Sequence, residues 1–230
     1  MAKYQAVFRR VEKKYVLTEE RYDQLLEHLI PHMEFDEYGL HTICNIYYDT
    51  RQYELIRHSI EKPIYKEKLR LRSYGIPTKE SDVFLEIKKK WKGVVYKRRS
   101  AMSLKSAVSF LEQKEIPSVN SQILREIAYF LSMYPVEPKQ FIAYDRIAMY
   151  GKEDSELRIT FDANIRSRDE ELSLAAGDYG SLLLPPGERI MEIKMTGAMP
   201  LWLAHTLSEL SIFPTSFSKY GNLYKKQGGY

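Results

Sequence analysis

Cysteine is nearly missing from this 230-residue chain: Cys44 is the only one. A disulfide framework and a thiolate metal cluster both need more, so neither holds the protein together. Cys44 lies in the apolar run Thr42-Ile43-Cys44-Asn45-Ile46-Tyr47-Tyr48 and reads as a small core residue. Long apolar runs are missing too. Nothing approaches the ~20 residues of a membrane span, and Arg9, Arg10, Lys13 and Lys14 leave no apolar core for a signal peptide. The expectation is a soluble, cytoplasmic chain. There is no internal repeat, no low-complexity tract, no Walker loop and no kinase glycine loop, so any nucleotide chemistry needs another apparatus. A large excess of one charge is also absent. Thirty-five basic against 31 acidic residues give +4, too mild for wholesale nucleic-acid binding, so the positions of the charges matter more than their sum. With 44% hydrophobic residues the chain can build a real core, and a single domain over 1–230 is expected.

What the chain does have is a set of short segments whose alternate residues are charged. In Lys68-Leu69-Arg70-Leu71-Arg72 an extended backbone turns Lys68, Arg70 and Arg72 to one face and both leucines to the other. The same parity recurs in Arg10-Val11-Glu12-Lys13-Lys14, Glu86-Ile87-Lys88, Arg158-Ile159-Thr160-Phe161-Asp162 and Glu192-Ile193-Lys194. Eight strands are predicted, over 8–17, 40–48, 66–74, 82–90, 94–102, 139–149, 156–164 and 189–195. Short links at Lys90-Trp91-Lys92-Gly93 and Gly151–Ser155 predict hairpins and hence antiparallel pairing.

Five helices are predicted around these strands. Thr18 caps the first, which Pro31 stops; Asp49 or Thr50 caps the second, through Ile60; Ser103 opens the third; a fourth runs from Ser121 to Tyr134; and Met199-Pro200 starts the fifth. Residues 167–187 read as a long loop. The fold expectation is α+β, an eight-stranded antiparallel β-barrel tunnel with helices packed outside. If the charged faces point inward, the lumen must be wet or liganded, because buried cations repel and lose hydration.

One charged strand by itself reads as the solvated face of a half-buried sheet. Repetition points instead to an anion site built from Lys14, Lys68, Arg70, Arg72, Lys88, Arg158 and Lys194, with Lys97 and Arg99 as a further pair. Arginine forks and lysine point charges together suit several phosphates better than one carboxylate. Acids are few on these faces: Glu12, Glu86, Glu192 and Asp162. A magnesium ion takes one or two carboxylates plus substrate phosphates, which makes Glu192 the metal candidate; an ion pair with Lys194 or a facing arginine is its alternative role. His28 and His32 have metal-ligand spacing, but Pro31 lies between them and a surface role is read instead. The lysines 88, 89, 90 and 92 could make a nucleic-acid patch, yet alternation divides them between two faces and a turn.

Taken together, Arg10–Tyr15, Tyr47-Tyr48-Asp49-Thr50, Lys68–Gly75, Phe84–Lys88, Tyr144-Asp145-Arg146, Arg158–Asp162, Glu192-Ile193-Lys194 and Ser218-Lys219-Tyr220 resemble the triphosphate tunnel metalloenzymes, a CYTH-like superfamily. Within it they resemble the polyphosphate polymerase domain of the vacuolar transporter chaperone (VTC) family. The resemblance implies a tunnel that binds ATP or polyphosphate through Lys14, Arg70, Arg72, Lys88, Lys97, Arg146, Arg158 and Lys219, with Arg10, Lys68, Arg99 and Lys194 contributing and Glu192 holding Mn2+ or Mg2+. Arg146 and Lys219 rest on the resemblance alone. The triphosphatase and cyclase branch carries Glu-x-Glu-x-Lys on its first strand, whereas this chain has Arg10-x-Glu12-x-Lys14, which favours the polymerase-like branch. The implied reaction is metal-dependent transfer of the ATP γ-phosphoryl group to a growing inorganic polyphosphate, catalysed by Arg70, Arg72, Lys88, Arg158 and Glu192. A triphosphatase, a noncatalytic polyanion receptor and an RNA-end binder are the rival readings. A nucleic-acid partner is disfavoured, while oligomeric state and a membrane partner stay open, since the eukaryotic polymerase subunits carry membrane helices and a sensing domain that this chain does not.

Overall fold

Alternation of apolar and charged residues becomes regular structure over most of the chain. The computed structural model describes residues 10–92, 94–113 and 121–229, and the side chain of Arg10 lies outside the described set. The elements in order are β1 (Arg10–Leu17), α1 (Glu19–Leu29), β2 (Met33–Phe35), β3 (His41–Thr50), α2 (Glu54–Ile60), β4 (Tyr65–Tyr74), β5 (Asp82–Trp91), β6 (Val94–Ser103), α3 (Leu104–Gln113), α4 (Gln122–Met133), β7 (Val136–Gly151), β8 (Arg158–Arg168), β9 (Ser181–Leu182), β10 (Arg189–Thr196), α5 (Leu201–Glu209) and α6 (Lys219–Lys226). The strands form an antiparallel sheet ordered β1-β10-β8-β7-β3-β4-β5-β6, with β2 beside β7 and β9 beside β8. The expected antiparallel α+β class holds, and all eight expected strands are present with small shifts at their ends, residues 8 and 9 of the first lying outside the described residues. Two short strands, β2 and β9, are additional. Among the described residues the order ends at β1 and β6 with no closing pair.

The chain divides into two units. The first holds the described residues up to His41, then Asp145–Ile165 and Leu184–Phe217. In its sheet Tyr15 and Leu17 of β1, Ile159 and Phe161 of β8, and Met191 and Ile193 of β10 point to one face and are buried with Leu25 and Leu29 of α1 and Leu203 and Leu207 of α5. α1 starts where the Thr18 hydroxyl accepts a hydrogen bond from the Arg21 amide (3.3 Å), with Glu19 and Glu20 in the first turn. It ends before Pro31, so His32 lies beyond the helix and stacks on Trp202, 4.2 Å between ring centres. The histidines make no metal pair.

The second unit holds Thr42–Tyr144, Arg166–Leu183 and the chain from Ser218. Leu69 and Leu71 of β4 and Val83, Leu85 and Ile87 of β5 are no more than 1% exposed, packed with Ala107 and Phe110 of α3 and Leu124, Ile127 and Phe130 of α4. Cys44 is a member of this core, and burial raises its thiol to about 11, outside any nucleophilic range at neutral pH.

Two segments differ from the sequence expectation. The predicted loop 167–187 contains a 3-10 turn at Leu174–Ala176 and strand β9. Its organiser is the buried Arg168, whose guanidinium donates to the carbonyls of Glu171 (3.3 Å), Tyr179 (2.9 Å) and Ser173 (2.9 Å) between the rings of Phe141 and Tyr179. A side chain at Gly180 would lie 2.6 Å from the Ser167 carbonyl, so only glycine lets the segment close onto β8. Helix α6 was not expected either, because Gly221 and Asn222 weaken eight residues too short to be helical alone. It forms because the Ser218 hydroxyl caps it and because the Tyr220 hydroxyl donates to buried Asp49 (3.0 Å). The same carboxylate accepts from the amides of Leu55 and Ile56 (2.9 and 3.0 Å), starting α2, so one acid fixes two helix N-termini.

Replacing Leu69 or Leu71 by alanine is expected to cost about 2–5 kcal/mol, because each leaves a cavity between β4 and its helices. Urea unfolding followed by circular dichroism measures this, and an unchanged midpoint would mean that the strand parity is inverted.

Candidate anion-binding site

In the second unit the pairing register stacks charge into rungs. Asn45 opposes Arg72; Tyr47 opposes Arg70, which opposes Glu86, which opposes Arg99; and Lys68 opposes Lys88, which opposes Lys97. Directly opposed like charges repel, so a rung of three lysines on neighbouring strands is a structure that an anion stabilises.

Glu86 is 1% exposed at the centre of this face. Its Oε2 accepts from Arg70 Nε (2.7 Å) and lies 2.6 Å from Arg70 Nη2, while Lys97 Nζ sits 3.0 Å from Oε1 and Arg72 Nε 3.9 Å from Oε2. Burial alone would raise this carboxyl, but Arg70, Arg72 and Lys97 reverse the effect and hold it down at about 2. Glu86 is thus a structural counterion, already engaged on both oxygens. Arg72 is also buried, its Nε donating to Asn45 Oδ1 (2.9 Å) and its Nη2 to the Tyr144 hydroxyl (3.1 Å), rather than lining open water as its strand position had suggested. Arg70 donates to the Tyr47 hydroxyl (3.2 Å). Burial works against ionising the Tyr47 phenol, yet Arg70 and Arg72 bring it below the usual tyrosine range.

The cations left toward solvent are Lys88, Lys97 and Arg99. Desolvation lowers Lys97 to about 8, with Arg70 and Arg72 acting in the same direction and Glu86 opposing them. Arg99 lies over the Phe84 ring, Lys219 Nζ over the Tyr144 ring (4.3 Å), and Lys68 Nζ donates to the Ser218 hydroxyl (3.4 Å). Helix α6 therefore brings Ser218 and Lys219 to the same unit as the β4–β5–β6 rungs.

The first unit carries a second charged face, with alternating signs. Its rungs are Glu12–Lys194–Arg158 and Lys14–Glu192–Thr160. Lys194 Nζ lies 2.7 Å from Glu192 Oε1, and Lys14 Nζ lies 3.5 Å from its Oε2 and 3.4 Å from Glu12. Lys14 also donates to the Phe217 carbonyl (3.3 Å). Burial raises Glu192, but Lys194, Lys14 and Arg146 outweigh it and keep the group ionised down to about 2. Arg146 itself grips Asp162 through two bonds of 2.6 and 2.9 Å, and Arg158 is exposed beside Lys194. Arg10 opens β1 opposite Thr196, its side chain outside the described residues.

No group of three or more histidine, cysteine, aspartate or glutamate side chains that could hold a metal ion occurs among the described residues. The described residues therefore offer no complete protein cage. An ionised carboxylate beside a hydroxyl is a donor set that fits a hard cation completed by substrate: Glu192, paired with Lys194 and Lys14, has the carboxylate, and on the next strand the buried Thr160 hydroxyl has no hydrogen-bond partner. The sequence had pointed to Glu192; Thr160, Tyr47, Tyr144 and Asn45 it had not assigned a role. Only the pairing register reveals them, because their neutral side chains carry no charge pattern.

Glu86→Gln is expected to cost about 3–5 kcal/mol at neutral pH, because buried arginines lose their counterion. A depressed carboxylate stabilises the fold above its ordinary value of 4.5 and ceases to do so as pH falls through about 2. The gap between wild type and Glu86→Gln should consequently shrink over that window in urea titrations; a gap independent of pH would show that Glu86 is not the counterion.

Comparison with known proteins follows the same direction. The VTC domain model matches residues 9–227. None of the curated proteins compared with the chain matches it. Solved structures of similar fold include a proposed adenylate cyclase from Vibrio parahaemolyticus, 17% identical over 95% of this chain and 99% of that one, TM-score 0.52. Another is a proposed adenylate cyclase from Bacillus halodurans, 16% identical over 91% and 93%, TM-score 0.55. A third is a proposed adenylyl cyclase from Hippeastrum in which a triphosphatase activity dominates, 14% identical over 95% and 96%, TM-score 0.53. At such identities the likeness is one of fold alone. With its sequence matched almost from end to end, the chain belongs to the VTC domain family.

Proposed function

We propose that this protein transfers the γ-phosphoryl group of ATP to the terminal phosphate of an inorganic polyphosphate, with the whole chain acting as one domain and its long strands closing a tunnel. The observation that carries the reading is the Lys68–Lys88–Lys97 rung beside Arg70 and Arg99, where Glu86 is the one carboxylate and is already engaged. Such a surface suits a chain of phosphates. The replacement of the first acid of the Glu-x-Glu-x-Lys pattern by Arg10 supports a phosphate acceptor over water.

In the proposed reaction an oxygen of the acceptor's terminal phosphate attacks the γ-phosphorus as the bond to the β,γ-bridging oxygen breaks, and ADP leaves. No protein nucleophile is needed. A loose phosphoryl-transfer transition state requires alignment of the two phosphates and neutralisation of their nonbridging oxygens. Lys88, Lys97, Arg70 and Arg99 would do this from the second unit's face, with Lys68 and Lys219 binding beside them. Arg72 would hold Arg70's surroundings in place through Asn45 and Tyr144. In the first unit Lys14, Arg158, Lys194 and Arg146 would bind phosphate oxygens, and Arg10 extends that strand. Glu192, assisted by the Thr160 hydroxyl, would hold Mn2+ or Mg2+, which when bound supplies additional charge neutralisation at phosphate oxygens.

Incubation of the pure protein with ATP and either metal, followed by electrophoresis of the products, tests the proposal. Acid-labile chains together with ADP are expected; phosphate release from tripolyphosphate without chain growth identifies a triphosphatase, and binding without turnover a receptor. Glu192→Gln should abolish turnover while retaining polyphosphate binding, and unchanged turnover at saturating metal would remove Glu192 from the mechanism.

The pH dependence of binding provides a second check. Because the Lys97 ammonium discharges near pH 8, affinity for tripolyphosphate should fall as pH rises from 7 to 9, and Lys97→Arg should flatten the curve. Calorimetric titration of both proteins measures it; the same slope in each would exclude Lys97.

A further inference from the structure

The phosphate-facing rungs account for the inner part of the β4–β5–β6 ribbon but leave its outer end unexplained. There Tyr65 of β4, Trp91 of β5 and Val94 of β6 make one rung, and Lys66, Lys90 and Val95 make the next rung on the opposite face. Ile64, Tyr65, Trp91, Val94, Val95 and Tyr96 are all between 41% and 68% exposed. Isolated exposed apolar residues need no explanation, but six gathered at the end of one ribbon do. Lysine surrounds them at positions 62, 66, 90 and 92, and Lys92 Nζ lies 5.0 Å from the centre of the Trp91 ring. The lysines crowd one another: the Lys66 ammonium is disfavoured first by partial burial and then by Lys90, Lys62 and Lys88. Of the neighbouring acids Glu67 pairs with Lys89 at 3.3 Å, and Glu61 is exposed 3.9 Å from His58.

We infer that this ribbon end docks on an anionic lipid bilayer. Tryptophan and tyrosine have an apolar body with a polar tip and concentrate at the membrane interface, where lysines reach headgroups. Charge complementarity selects an acidic leaflet, since each lysine near such a surface strengthens attachment by about fivefold. Aromatic and basic side chains together can also bind single-stranded nucleic acid, but Ile64, Val94 and Val95 offer nothing to a base or phosphate, whereas all three gain from entering hydrocarbon. Attachment is peripheral: no helix among the described residues is long and apolar enough to cross a membrane.

The test uses the full chain carrying Trp202→Phe, so that Trp91 is the remaining tryptophan. It is floated with vesicles of phosphatidylcholine alone and with 30 mol% phosphatidylglycerol, in saturating tripolyphosphate to occupy the phosphate-facing rungs. Expected are flotation with the acidic vesicles, a blue shift of Trp91 emission and its quenching by brominated lipid. Lys90→Gln with Lys92→Gln should weaken partitioning about thirtyfold without changing the melting temperature, and Trp91→Ser with Val94→Ser should also weaken it. The inference is overturned by absence of flotation, by flotation that leaves Trp91 emission unchanged or that tripolyphosphate abolishes, by preferential binding of an RNA oligonucleotide at the same residues, or by self-association through them in place of vesicle binding.

Discussion

The buried Glu86 carboxylate is the group on which the cationic face of the second unit depends. Arg70, Arg72 and Lys97 converge on it, and without it they would meet as like charges in a poorly solvated place. One acid cannot neutralise three cations. The residual positive charge is displaced toward the exposed Lys88, Lys97 and Arg99, where a polyanion can reach it. The same interaction therefore holds the strands in register and leaves the surface electrostatically incomplete.

The first unit solves the same problem differently. Its rungs alternate in sign, so Glu192 and Lys194 satisfy one another while Asp162 holds Arg146. Such a face is locally balanced and is suited to supplying one oxygen ligand beside several cations. Asp49 performs a third electrostatic task by accepting hydrogen bonds from two amides at the start of α2 and from Tyr220 in α6. Tyr220 in turn stacks on Tyr47, whose hydroxyl accepts from Arg70. The C-terminal helix and the arginines of β4 are thus joined by a continuous set of contacts, which explains why Ser218-Lys219-Tyr220, far away in sequence, belongs with strand residues.

Much of this was legible in the chain. A period of two identified the eight long strands, their apolar faces and the charged positions of β1, β4, β5, β8 and β10, because pleating converts alternation directly into sidedness. Capping residues located five helices. The segment 167–187 and helix α6 were not legible, since Arg168 organises the first and Asp49 the second through partners distant in sequence. Local pattern carries no record of such partners.

The sequence by itself determined which residues share a strand face, that the acids are outnumbered there, and that Glu192 stands on one face with Lys194. Tertiary structure decided what each charge does. Register made Glu86 a counterion, drew Arg72 into the protein against Asn45 and Tyr144, bound Arg146 to Asp162 and left Lys88, Lys97 and Arg99 exposed. Alternation fixes the side of a sheet to which a side chain points. Only strand pairing fixes its neighbours, and electrostatic role follows from neighbours and burial.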